Sequence, residues 1–259
     1  FHNYLCRQLK GGGMEIYMKQ GWDSILTKIE QDNSNSFIGG KPCIPKDEFL
    51  PICKICGEPL TFFFQVAFPQ GHMWERKSLA FFYCTCTCHK HDDIQKFPPS
   101  IHTGTKNDLF HIPDGEIDPE IYQTLFRVIF FDTVDGVLRE DYKEKVKYQK
   151  IDWKSSKKKN KKAPIIIAGE AIWSKEFGME RPISYEGKDM ELVLQVADYF
   201  NFEKLDDASP EMEETYKKNN PFIPRKENNY TFFFEFNRVY LWGTVEKEHP
   251  SFWLNVQCF

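Results

Sequence analysis

Cysteine carries the densest potential chemistry in this sequence. Cys53 and Cys56 stand in PICKICGEPL with Lys54 and Ile55 between them and Gly57 directly behind. Cys84, Cys86 and Cys88 alternate with threonine in FFYCTCTCHKH, followed by His89 and His91. Structural Zn²⁺ takes four tetrahedral ligands, and thiolate sulfur and imidazole nitrogen are preferred donors. A two-residue spacer lets both sulfurs of a Cys-x-x-Cys face one point, and the glycine permits the tight turn behind them. Half of a zinc site is therefore expected at Cys53 and Cys56, and the other half at Cys84 and Cys88. In an extended strand Cys84, Cys86 and Cys88 project on one face, so the chain must bend to bring two sulfurs together. A short turn from Cys84 to Cys88 achieves this. Cys86 is the substitute, and His89 and His91 are further donors nearby.

Other uses of thiols fit less well. Eight cysteines in 259 residues make an even count, but a chain of this size buries enough surface to fold without disulfide staples. A redox Cys-x-x-Cys would normally open a helix rather than lead into a strand. Buried, reduced cysteines packing as small hydrophobes are the plain alternative. A catalytic zinc needs an open coordination position and a nearby general base. With this many donors in reach the site is expected to close, so the zinc is read as structural.

The elements that must position these residues are strands. Aromatics make up 16% of the chain and Phe alone contributes 24 residues, a composition suited to sheet faces. Leu60–Phe68 and Leu79–Cys84 are apolar runs of strand length separated by turn residues, and they read as a hairpin. The first cysteine pair precedes one strand and the second group ends its antiparallel neighbour, so both fall at the same end of the sheet. Upstream, FIGGKPCIP reads as a strand entering a glycine turn. Residues 14–32 place Ile16, Trp22, Ile25, Leu26 and Ile29 on one helical face, with Gly21 as a weakness. Strands are also expected over Tyr122–Asp132, ending at the turn TVDG, and over Glu144–Trp153. Residues 92–119 read as an irregular excursion.

The basic run KSSKKKNKK at 154–162 is the best boundary. It divides a first β-rich half, residues 14–153, from a second, 163–259. Residues 1–13, with Gly11-Gly12-Gly13 before Met14, read as an appended peptide and linker. In the second half, 187–200 opens a strand or helix and 206–220 an acidic helix. TFFFEF and SFWLNVQCF are expected as the last strands, joined through RVYLWGTVEKEHP. The halves echo each other. Gly40 lies 25 residues before Gln65 in FQVA, and Gly169 lies 26 before Gln195 in LQVA. A duplicated unit is expected, with each glutamine tying a loop to its sheet.

FIGGKPCIP, then CKICGEPLTFFFQVAFP, the turn with Arg76, and LAFFYCTCTC together resemble the core of the YwqG-like bacterial proteins. They also resemble the N-terminal domain of the related eukaryotic programmed-cell-death-2 and ribosome-assembly proteins. The resemblance covers roughly residues 36–90. It implies a β-rich, pseudo-duplicated domain that binds other proteins and has no established catalytic residues. In the eukaryotic relatives the domain is linked to escorting a small-subunit ribosomal protein. Here the second half carries no equivalent cysteine set, keeping only Cys258.

The expected fold class is thus α+β, mostly antiparallel β, with two similar halves packed together and a zinc-clipped hairpin in the first. The expected function is non-enzymatic protein binding, with a chaperone-like role toward a basic client that the acidic stretch Glu203–Glu214 would attract. The net charge of −4 and pI near 6.0 speak against nucleic acid as partner. No apolar run reaches membrane-spanning length, and FHNYLCRQLK lacks a signal-peptide core, so a cytoplasmic location is expected. Two alternatives stand beside this. One is a metal-dependent hydrolase using His89 or His91 at an open zinc; the other is an immunity or defence-linked protein that binds a toxin.

Overall fold

A computed structural model describes residues 20–53, 56–85, 125–157, 160–172, 184–185, 188–198, 200–209, 228–230 and 237–258. Almost all of the regular structure is antiparallel β. The strands are β1 (Gly21–Thr27), β2 (Phe37–Ile38), β3 (Cys43–Ile44), β4 (Thr61–Ala67), β5 (Lys77–Tyr83), β6 (Phe126–Asp132), β7 (Val137–Leu138) and β8 (Gln149–Ser156). They continue with β9 (Ile165–Ala168), β10 (Ser184–Tyr185), β11 (Lys188–Val196), β12 (Phe202–Glu203), β13 (Asn229–Tyr230), β14 (Asn237–Thr244) and β15 (Phe252–Cys258). One eleven-stranded sheet runs β15-β14-β11-β9-β1-β8-β2-β4-β5-β6, with β10 paired to β11. Two small ladders, β12–β13 and β3–β7, lie outside it. The sheet is nearly closed. Its end strands approach through Phe130 of β6 and Phe252 of β15, whose rings lie 5.9 Å apart, and the Trp74 indole N–H donates to the Glu246 carbonyl.

The β4–β5 hairpin forms as its apolar runs require. Six of the seven residues in each strand are buried. Register partners Phe64 and Phe81 stack at 5.0 Å, and Phe62 meets Phe82 at 5.2 Å, the cross-strand aromatic contact that stabilises sheets. Its turn folds inward: His72 and Trp74 are buried, and the imidazole stacks on Phe68 at 4.6 Å.

Residues 21–27 form a strand, not a helix. β1 is held between β8 and β9, and Ile25 and Ile29 of the expected apolar helical face are 52% and 43% exposed. Gly21 fits this role. A Cβ there would lie 3.6 Å from the Gly169 Cα, and one on Gly169 only 3.2 Å from the Gly21 Cα. The stretch RVYLWGT is likewise a strand, β14, rather than a connection, while TFFFEF lies outside the described residues. So do 92–119, most of the acidic stretch beyond Ser209, and residues 1–13. Lys154, Ser155 and Ser156 of the basic run belong to β8 and pair with Asp23, Trp22 and Gly21.

The strand order reads the same from both ends about the central β1–β8 pair. Phe37 pairs with Gln65 and Ile38 with Phe64; Ile166 pairs with Gln195 and Ile167 with Leu194. The register slips between Phe62 and Phe64 in β4, and between Leu192 and Leu194 in β11. Both bulges thus fall two residues before the glutamine. Backbone with positive φ follows β2 at Gly39 and Gly40, and closes β9 at Ala168 and Gly169. On either side of that central pair, β1 meets β9 and β8 meets β2.

Candidate metal centre

The loop before β4 is a tight antiparallel excursion. Leu60 N–H donates to Pro51 O at 2.9 Å, and Ile52 bridges Pro59. At its tip Cys53 N–H donates to Glu58 O and Cys53 O accepts from Gly57 N–H, both at 2.8 Å. Gly57 has φ +78°, the left-handed conformation that glycine adopts without steric penalty. This turn presents Cys53 and Cys56 to the end of the β4–β5 ladder. Across it, Cys84 follows β5 directly and donates its N–H to Leu125 O at 2.9 Å. The hydroxyls of Thr61 and Thr85, both buried, close the same end at 2.6 Å.

The sulfurs of Cys53, Cys56 and Cys84 all lie within 4.8 Å of one another, and those of Cys56 and Cys84 are 3.9 Å apart. Cys53 and Cys84 are buried and Cys56 is half-buried. The three are close enough to hold one metal ion. Cys86, Cys88, His89 and His91 lie outside the described residues.

Burial pushes the Cys56 thiol above its ordinary range, and the neighbouring Cys53 adds to that rise, while hydrogen bonds from Glu58 and Cys84 oppose it. Three partly desolvated thiols this close repel one another as thiolates. A bound cation reverses that balance, because a coordinating thiol is deprotonated outright. The donor set therefore suits a soft or borderline metal. Lys145 lines the same end and donates to Pro59 O at 3.3 Å. Burial lowers its pKa, opposed by the charges of Cys84, Glu58 and Cys56. A fourth cysteine, Cys43, is elsewhere: it sits on β3, its N–H donates to the Gln65 amide oxygen, and burial raises its thiol.

Two features beside the thiols were not singled out from the sequence. A groove of about 460 Å³ is bordered by Leu50, Ile52, Glu58, Tyr142, Lys145 and Asp207, among others. Apolar side chains stand exposed as well: Ile52 on the groove wall at 58%, Phe49 just before it in sequence at 89%, and Val137 of β7 at 50%. The groove walls come from three distant stretches of chain, and only the exposed Phe49 and Ile52 between prolines offered a local signal. Tyr142 anchors one wall by accepting Phe62 N–H at 2.7 Å.

Both glutamines of the internal echo act as loop ties. Gln65 accepts from Cys43 N–H at 3.0 Å, and Gln195 accepts from Ile172 N–H at 3.0 Å while donating to Glu170 O. The turn at Asp132–Gly136 is a short 3₁₀ element. Among the described residues no helix is long and apolar enough to cross a membrane. Compared with known proteins, the chain matches no family model and no curated protein sequence.

Proposed function

We propose that the chain is a non-enzymatic protein-binding β domain whose first half is clipped by a structural Zn²⁺. The observation that carries the clip is the convergence of three sulfurs from a Cys-x-x-Cys-Gly turn and a strand end within 4.8 Å. Cys53, Cys56 and Cys84 would supply three ligands. Cys88 is the expected fourth, with Cys86 as its substitute. The metal would neutralise thiolates that burial otherwise disfavours, and would tie the 51–60 loop to the end of β5. Structural zinc of this kind contributes directly to folding free energy.

The binding surface in this reading is the groove beside the clip together with the exposed Phe49, Ile52 and Val137. Solvent-facing apolar side chains rimmed by charge are a common mark of protein contact sites. The groove wall mixes Glu58, Asp141 and Asp207 with Lys143 and Lys145, and Asp141 and Asp207 are already paired with Arg139 and Lys143, so the basic client rests on the resemblance to the YwqG-like and programmed-cell-death-2 proteins.

Metal analysis of the purified chain tests the clip: one zinc per chain is expected, and Cys56→Ser should lower zinc content and melting temperature together. Full loss of metal with unchanged stability would sink it. Affinity capture from the native cell should recover a partner that Ile52→Asp no longer holds.

A further inference from the structure

Resting on the zinc reading, we infer that the clip is also a thiol switch, in which hydrogen peroxide converts Cys56 and Cys84 into a disulfide and releases the metal. Cys56 touches both other sulfurs, and the pair with Cys84 is favoured because it joins two segments of chain. The two sulfurs are 3.9 Å apart, and an approach of roughly 2 Å brings them to bonding distance. Their relative access sets the order of events: Cys56 is half-buried, whereas Cys84 and Cys53 are only 5% and 3% exposed. Peroxide therefore meets Cys56 first.

The chemistry balances. The Cys56 sulfur attacks one peroxide oxygen, the O–O bond breaks, and the products are a sulfenic acid and one water. The Cys84 thiolate then attacks the Cys56 sulfur, the S–O bond breaks, and hydroxide leaves as a second water; both cysteines start as metal-bound thiolates, so solvent supplies the two protons that the two waters take up. Two thiolates are oxidised and one peroxide is reduced. The cation loses two thiolate ligands in the same process and dissociates.

A bond between Cys53 and Cys56 would tie one turn to itself. That turn is already fixed by Cys53 N–H to Glu58 O and Gly57 N–H to Cys53 O. A bond between Cys56 and Cys84 spans the loop and the strand end, so it preserves the connection that the metal made. The switch thus exchanges one clip for another and leaves the hairpin end closed, while the charge and ligation beside the groove change.

The test uses the full chain loaded with zinc, with metal content measured first. Hydrogen peroxide is added, zinc release is followed with a chromogenic chelator, and cysteine linkages are mapped by mass spectrometry of non-reduced peptides. The expected result is a Cys56–Cys84 linked peptide appearing in step with zinc release, both reversed by reductant and added zinc. Cys53→Ser should still form this link. A Cys53–Cys56 bond, another partner for Cys84, or unlinked Cys56 sulfinate as the main product would overturn the proposal. Peptide mapping on the unaltered chain needs no variant to fold. A chain free of metal before oxidation that still links Cys56 to Cys84 would remove the zinc reading and leave the thiol pair standing.

Discussion

The end of the β4–β5 ladder and the end of the β11–β14 ladder occupy the same place in the two halves of the sheet, yet they are closed by different chemistry. Tyr83 pairs with both Thr61 and Phe126, and Gly243 pairs with both Glu191 and Phe252. The next residue is Cys84 in one half and Thr244 in the other. Each donates its backbone N–H to the residue just before the neighbouring strand, Leu125 or Ser251. In the second half the Thr244 hydroxyl accepts from Ser251 N–H at 2.8 Å and reaches the Glu246 carboxylate at 3.2 Å. In the first half a sulfur stands there, facing a turn that carries two more. The preceding hairpins differ too: Ser184–Tyr185 pairs directly back on Lys188–Asp189, whereas Ile52 and Pro59 enclose the longer turn with Cys53 and Cys56. One position thus serves either a local hydrogen-bonded closure or a site assembled from two segments.

Removing each closure should separate them most sharply. If the proposed zinc clip holds, Cys84→Ser keeps the size of the side chain but removes one of its ligands, and about 3 kcal/mol or more of stability should go with it. Chelation should mimic the loss in the unaltered chain and have no further effect on Cys84→Ser. Thr244→Ala should cost only about 1–2 kcal/mol, the penalty for leaving the buried Ser251 N–H unpaired, and chelator should destabilise it as much as the unaltered chain. Denaturant titrations with and without chelator measure both. Equal losses for the two variants, insensitive to chelator, would mean that both ends are closed by packing alone.

The turns that follow β2 and β9 offer the next comparison. At Gly39, φ is +61° and an added Cβ would sit 2.4 Å from the carbonyl oxygens of Val146 and Lys147. Backbone cannot yield as a flexible side chain can. Gly39→Ala should therefore destabilise by about 2–4 kcal/mol, read as a drop in melting temperature without loss of bound metal.

The glutamine ties should rank by burial. Ile172, whose N–H Gln195 satisfies, is 3% exposed, while Cys43 is half-buried. Gln195→Ala should cost about 2–3 kcal/mol and Gln65→Ala about 1 kcal/mol, because water can reach the second orphaned donor. Paired denaturation curves would show the order, and a reversed order would break the correspondence between the two loops.

The parts of this architecture that were legible in the sequence are those with local signals. The β4–β5 hairpin announced itself by two strand-length apolar runs around a turn, and the turn glycines and both glutamines by a recurring pattern. Cys53, Cys56 and Cys84 were legible because metal-ligand spacing is chemistry written locally. β1 was not. As a central strand buried on consecutive residues from Gly21 to Ser24, it lacks the period-two alternation that marks a half-exposed strand, and its apolar residues fall by chance at helical spacing. β14 was hidden for the same reason: Val239–Trp242 are buried without a break. The groove depends on pairings between stretches far apart in sequence, and only the folded sheet brings Pro51, Tyr142 and Asp207 to one place. The proximity of Lys145 to the thiols has the same origin.

The gentlest test falls on the position that matches Gly39. Ala168 holds φ +52°, a conformation that costs an alanine about 1 kcal/mol, yet its methyl is accommodated and the residue is 4% exposed. Ala168→Gly removes the backbone strain. It also forfeits a buried methyl worth about 0.8 kcal/mol and loosens the unfolded chain by about 0.4–1 kcal/mol. These contributions nearly cancel, so the variant should lie within about 1 kcal/mol of the parent, on the destabilised side. The same exchange between glycine and alanine would then be severe in one half and almost silent in the other. The difference traces to what passes overhead: two carbonyl oxygens press on Gly39, whereas Ala168 has room for its methyl. A loss above about 2 kcal/mol for Ala168→Gly would show that the methyl is gripped by packing on which the second half depends, and the two turns would no longer be alike in anything but backbone angle.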